Sequence, residues 1–149
     1  MKRVLVASLL FAVVVGVMLY FMPQSYSQQI LGVVKNKNAE INVYCRETTL
    51  QAVDLGFGKM ISCNADNFTD VLFKCGKIDG VSASFNGTYD EFVKLQKDLD
   101  LKNTETQNLN EGYVVCGRCD NIGGGVIVDG NYVNCQIAYS HGTITVGFP

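Results

Sequence analysis

Tryptophan is absent from this chain, histidine occurs once, and no two Lys or Arg residues are adjacent after Arg3. Each shortage excludes something. A single histidine rules out the zinc site that joins a Cys-x-x-Cys knuckle to paired histidines. It also leaves a hydrolytic triad one residue for its base, His141, with Ser140 as nucleophile and Asp129 as carboxylate. Neighbours on a turn rarely present base and nucleophile to each other, so no triad is expected. Cations scattered singly give no basic stripe, which excludes nucleic acid as a partner. Glycine motifs for phosphate are missing too. Gly56-Phe57-Gly58-Lys59 lacks the P-loop spacing, the Rossmann pattern does not occur, and Gly123-Gly124-Gly125 opens no helix. Asp66, Asp70, Asp79 and Glu91 fall at caps or turns, and nothing pairs them as acid and base. No cofactor and no catalytic set is implied.

What is there begins with an apolar run. Lys2 and Arg3 precede Val4 to Met22, nineteen residues without a charge. At ~1.5 Å per residue this reaches about the ~30 Å of a bilayer's hydrocarbon core. The two cations favour a cytoplasmic N-terminus, and Tyr20 and Phe21 stand where interfacial aromatics belong. The sequence therefore predicts a membrane anchor over 1–22, a linker over 23–38 and an extracytoplasmic domain over 39–149. A cleaved signal peptide is the alternative, with cutting after Ser25-Tyr26-Ser27 and a secreted product. The run is long for that, and the site lacks the usual alanines. The first cysteine after the run is Cys45, which excludes a lipid-modified cysteine beside it. Only Lys35 and Lys37 lie close to the membrane, too few for a polybasic lipid contact.

The exported part has room for one domain with one core. Of twelve Lys and Arg, two precede the apolar run, against fourteen Asp and Glu that all follow it, so this part is mildly acidic. With 48% apolar and 17% charged residues over the whole chain, its bulk is expected to fold. Pro23 to Asn38 reads as a partly ordered tether around Ile30–Val34. Ile41, Val43 and Cys45 alternate as a strand, and Lys59–Cys63 extends again. Asn67 reads as a helix cap before Phe68, Val71, Leu72 and Cys75, with Gly76 ending the helix. Val81, Ala83 and Phe85 form the next strand. Thr88 and Glu91 make a capping box ahead of Phe92, Leu95 and Leu99. Leu101–Gly112 is polar and reads as a surface connection. Short β-branched or aromatic segments follow, with turn chemistry at Asp129-Gly130-Asn131 and Ser140-His141-Gly142. The predicted fold is α+β: an N-terminal transmembrane helix, then two helices packed on a largely antiparallel sheet.

Six cysteines in an exported domain suggest disulfides, yet four of them occupy apolar positions. Cys45, Cys63, Cys75 and Cys135 each stand where a small hydrophobe would, so bridges and buried thiols are both open. Cys116-Gly117-Arg118-Cys119 is the pair whose spacing could carry redox chemistry. A helix starting at the first cysteine would stabilise its thiolate, but Asp120 to Gly125 cannot start one. In an extended strand Cys116 and Cys119 would also face opposite ways. A turn disulfide or two hairpin thiols is the preferred reading. One knuckle and one histidine predict no metal site, although cysteines distant in sequence could complete one.

Val133-Asn134-x-Gln136-Ile137-Ala138, with Ile144-Thr145-Val146-Gly147 and Pro149, resembles the end of the YwmB-like family. Those are anchored extracytoplasmic proteins of Gram-positive, spore-forming bacteria with an α+β fold likened to the TATA-box-binding fold. The resemblance covers about 17 residues, implies that address and fold class, and supplies no catalytic residue and no DNA binding.

The functional expectation is a membrane-anchored envelope domain that binds or scaffolds without catalysis. The alternatives are a thiol–disulfide protein using Cys116 and Cys119, or a cysteine metal site. The chain closes on Phe148-Pro149 directly after an apolar strand, which suggests a protein partner or homodimer through that strand.

Overall fold

The alternation of Ile41, Val43 and Cys45 is realised as β1 (Ala39–Cys45), whose odd-numbered residues are all buried. In this computed structural model, which describes residues 28–149, β1 lies between two antiparallel neighbours, β3 (Lys59–Cys63) and β4 (Ile78–Asn86). β10 (Thr143–Phe148) follows β4, then β9 (Cys135–Ser140), β6 (Gly112–Arg118) and β5 (Lys102–Leu109). The two-residue β2 (Val53–Asp54) closes the other edge, giving eight antiparallel strands. β7 (Val126–Val128) and β8 (Asn131–Val133) form a separate hairpin.

Register aligns the apolar residues into rows across this sheet. Ile41 pairs with Ala83, Ala83 with Val146, Val146 with Ile137, and Ile137 with Val115. Val43, Val81 and Phe148 make a parallel row. Because side chains alternate, this one face carries the core. The other face shows Asn42, Ser62, Ser82, Ser84, Thr145 and Gln136, mostly uncharged and half-exposed.

Three helical segments cover the apolar face. α1 covers residues 28–34 and buries Ile30 and Val34, four apart and so on one side of the turn. α2 (Ala65–Lys74) buries Phe68, Val71 and Leu72 against β1 and β3. α3 (Tyr89–Asp98) buries Phe92 and lies against β9. Its start has the predicted capping box: Glu91 N–H donates to Thr88 Oγ1 at 3.3 Å, and Thr88 N–H to Glu91 Oε2 at 2.9 Å.

Among the described residues ten strands outweigh three short helices, so the predicted α+β domain of two helices packed on a sheet is corrected to a mostly sheet architecture. One cause is β5. Expected as a polar surface connection, it is a strand whose eight residues are all exposed, paired to β6 at the sheet edge. With no buried face it has no alternation to read. The other is α1, in a segment expected as a partly ordered tether. The anchor over 1–22 lies outside the described residues; among those described, no helix is long and apolar enough to cross a membrane.

Details of the helix ends also differ. Asn64, not Asn67, caps α2, its side chain accepting the Asn67 N–H at 3.1 Å. The helix ends on Cys75 in extended conformation, and Gly76 has no positive φ. The two turns follow their residues: Asp129-Gly130 (φ 48°, 83°) and His141-Gly142 (φ 49°, 76°) close the β7–β8 and β9–β10 hairpins. β10 is an interior strand with both edges paired, so the unpaired edge that motivated a dimer through it is not there; β2 and β5 are the edges.

Candidate functional site

Cys116 sits in β6 opposite Gln136 and Glu105, on the sheet face away from the core. Cys119, one residue past the strand end, turns inward and is 2% exposed. The pair thus divides between the open face and the core. Burial, then the Glu105 carboxylate, raises the pKa of the Cys116 thiol. Residues 119–125 make a turn and irregular backbone, with Ile122 N–H on Cys119 O at 3.3 Å. No helix N-terminus points at either sulfur, and a thiolate at Cys116 is disfavoured rather than stabilised.

Asn134 organises this loop, a role that its sequence setting did not reveal. It is 1% exposed and stands where the chain passes from β8 to β9. Its Oδ1 accepts the Cys119 N–H at 2.7 Å, and its Nδ2 donates to Cys119 O at 2.9 Å and Ile122 O at 2.7 Å. Its own N–H donates to Gly117 O at 3.1 Å. A polar residue between Val133 and Cys135 was the available signal. Outside the loop, Asp120 joins Lys102 and Arg118 in an exposed ion-pair group. Hydrogen bonding to Lys102 holds the Asp120 carboxyl below its ordinary value.

His141 and Ser140 do approach each other, with Oγ to Nδ1 at 2.8 Å. The carboxylate beside His141 Nε2 is Glu111 at 3.3 Å, while Asp129 lies on the β7–β8 turn. The Ser140 hydroxyl is also within reach of Glu111 O at 2.9 Å. Both His141 and Glu111 are about seven-tenths exposed. With no enclosing cavity to exclude water, this is turn bonding and not an activated nucleophile.

Of the remaining cysteines, Cys135 lies opposite Gly117 beside the Asn134 loop, while Cys45, Cys63 and Cys75 lie on β1, β3 and the end of α2, on the far side of the sheet. The Cys75 thiol is pushed up to about 12, first by burial and then by a hydrogen bond with the Cys45 thiol. Cys63 is close enough to add a smaller through-space effect. Among the described residues, no three His, Cys, Asp or Glu side chains converge as a metal ion would require.

Two exposed apolar features are left. A groove of about 360 Å³ crosses the open sheet face between Tyr44, Ser82, Gln136, Gly147 and Phe148. Phe57, 76% exposed, stands at its side on the turn between β2 and β3. Gly56 (φ 83°) allows that turn, which Asp54 Oδ1 fastens by accepting the Gly56 N–H at 2.7 Å. The second feature is the β7–β8 hairpin, which exposes Val126, Ile127 (76%), Val128 and Tyr132 on two strands outside the main sheet. Compared with protein-family models, curated proteins and solved structures, the chain finds no match.

Proposed function

We propose that this chain is a membrane-anchored, extracytoplasmic binding or scaffold domain of the cell envelope, working without catalysis. The observation that carries the binding role is the β7–β8 hairpin. Three successive apolar residues and Tyr132 are held in water on a two-stranded unit that contributes none of them to the buried core. Contiguous exposed apolar surface of this kind marks contact with another molecule. The envelope address rests on the sequence: the uncharged run Val4–Met22 behind Lys2 and Arg3. The likeness of the C-terminal segment to YwmB-like proteins points the same way.

A photo-crosslinking residue placed at Ile127 of the full chain, in intact cells, tests both parts. The expected result is a discrete adduct in the membrane fraction, with none from a probe at Asp66, an exposed position on the first turn of α2. The same cells treated with an amine label that cannot cross membranes should show the domain labelled before lysis. Absence of an adduct at Ile127 would sink the binding role, and labelling only after lysis would sink the address.

A further inference from the structure

We propose that two copies of this chain pair through β7, joining their hairpins into one four-stranded antiparallel sheet. This rests on the binding role given above to the β7–β8 hairpin, and it names the partner as a second copy. β7 has β8 on one side and, among the described residues, no strand on the other. β8 is the strand that packs beside β6, so β7 is the outer one. Two strands of three residues make a marginal sheet in water, whereas three or more with an apolar face hold together. The root of the hairpin is fixed, by the Asn134 clasp at its base and by the Tyr132 hydroxyl, which donates to Gly124 O.

Backbone direction selects the register of that pairing. The turn Asp129-Gly130 leaves Val128 and Asn131 as the closing pair of a two-residue hairpin, which exchanges its hydrogen bonds. Pairs alternate from there, so Val126 also bonds to β8, opposite Val133. The N–H and C=O of Ile127 point instead to the free side. A second β7 meets them with its own outward groups when each Ile127 faces its counterpart. Val126 of either copy then faces Val128 of the other, and all three apolar positions are paired. The same register sets Asp129, the one charge between Asn121 and Ser140, opposite Gly125 and not opposite another Asp129. No larger residue fits at Gly125, where φ is 132° and a Cβ would meet Val133 O at 2.7 Å. A two-fold pairing of charged strands would oppose like charges, and this strand has none to oppose. One face of the joined sheet carries Ile127 and Tyr132 of both copies, and the other carries Val126 and Val128. Four exposed side chains per copy make a patch smaller than the ~800 Å² per partner of a standard interface. The dimer is therefore weak in dilute solution and gains where the proposed anchor confines both copies to one membrane.

The test is disulfide trapping in the purified full chain, with the parent and its six cysteines as background. Opposed residues of a hydrogen-bonded antiparallel pair have Cα atoms about 5.5 Å apart, within reach of a disulfide. Under oxidised glutathione, Ile127→Cys should give a covalent dimer joined at position 127 in both chains, with about tenfold the yield of the parent. Val126→Cys alone should not, because its counterpart lies two residues further along, about 8 Å away. Mixing the Val126→Cys and Val128→Cys chains should restore the dimer, since these positions face each other. All three positions are exposed, so the substitutions leave the core intact. No dimer from Ile127→Cys, or equal yields from Ile127→Cys and Val126→Cys, would overturn the proposal. The photo-crosslink at Ile127 separates this from the binding role itself. An adduct of twice the chain's mass supports a second copy, whereas an adduct of any other mass overturns it and leaves the binding role standing.

Discussion

At the scale of single residues, Asn134 is the position where most depends on one side chain. Its amide satisfies the N–H and C=O of Cys119 and the C=O of Ile122, all within a loop that has no regular structure of its own. Removing a buried partner leaves those groups desolvated and unpaired, at a cost of ~1–3 kcal/mol for each that water cannot reach. Asn134→Ala should therefore destabilise the domain by about 3 kcal/mol, seen as a lower urea midpoint with the slope unchanged. Asn134→Asp should be worse, because a carboxylate replaces the two Nδ2 donors with an acceptor oxygen that faces the two carbonyl oxygens. An alanine variant within about 0.5 kcal/mol of the parent would show that the loop holds itself together. Little of this was legible in the sequence. Asn134 breaks an apolar pattern, but a pattern cannot say whether a polar residue points to water or clasps a loop fifteen residues back.

At the scale of elements, α3 shows a segment whose local and tertiary signals agree. The Thr88–Glu91 box starts it, and Phe92 and Leu99 bury its stripe. Thr88→Ala should cost about 1 kcal/mol in chemical denaturation, as other lost N-caps do. Glu91 also bonds Lys37, which, with the Thr88 N–H, depresses its carboxyl pKa. A depressed carboxyl contributes stability above its unfolded pKa and loses it as pH falls through the folded value, so the cost of Glu91→Gln should shrink at acid pH. β1 and β4 were equally legible, because one face of each is buried and the other is not. β5 was not, since a strand exposed on every residue carries hydrogen bonds but no hydrophobic period. Val126–Val128 misled in the opposite sense. Three β-branched residues announce a strand, and nothing in them announces that the strand stands outside the core. The candidate binding surface was hidden for that reason, whereas the Cys116–Cys119 pair was visible in spacing and proved to be split between two faces.

At the scale of the molecule, the cysteines form two groups, Cys45, Cys63 and Cys75 on β1, β3 and the C-terminal end of α2, and Cys116, Cys119 and Cys135 around the Asn134 loop. Burial dominates in both. It pushes the thiol of Cys63 up to about 11, and those of Cys75 and Cys135 up to about 12, with neighbouring thiols adding to the latter two. In the unfolded chain the same thiols ionise at their ordinary value of 9.0. Between those limits the unfolded state binds fewer protons than the folded state, so the free energy of unfolding falls as pH rises. The stabilisation is whole below about pH 8.5 and is lost progressively toward the folded values. The reduced chain should therefore show a melting temperature that is level near neutrality and declines from pH 9 through pH 11, near the limits just given. Cys135→Ala should make that decline shallower, because its thiol is the most deeply buried of the three. A melting temperature that fell equally in the parent chain and in Cys135→Ala would mean that Lys and Tyr titration, and not the buried thiols, sets the alkaline limit.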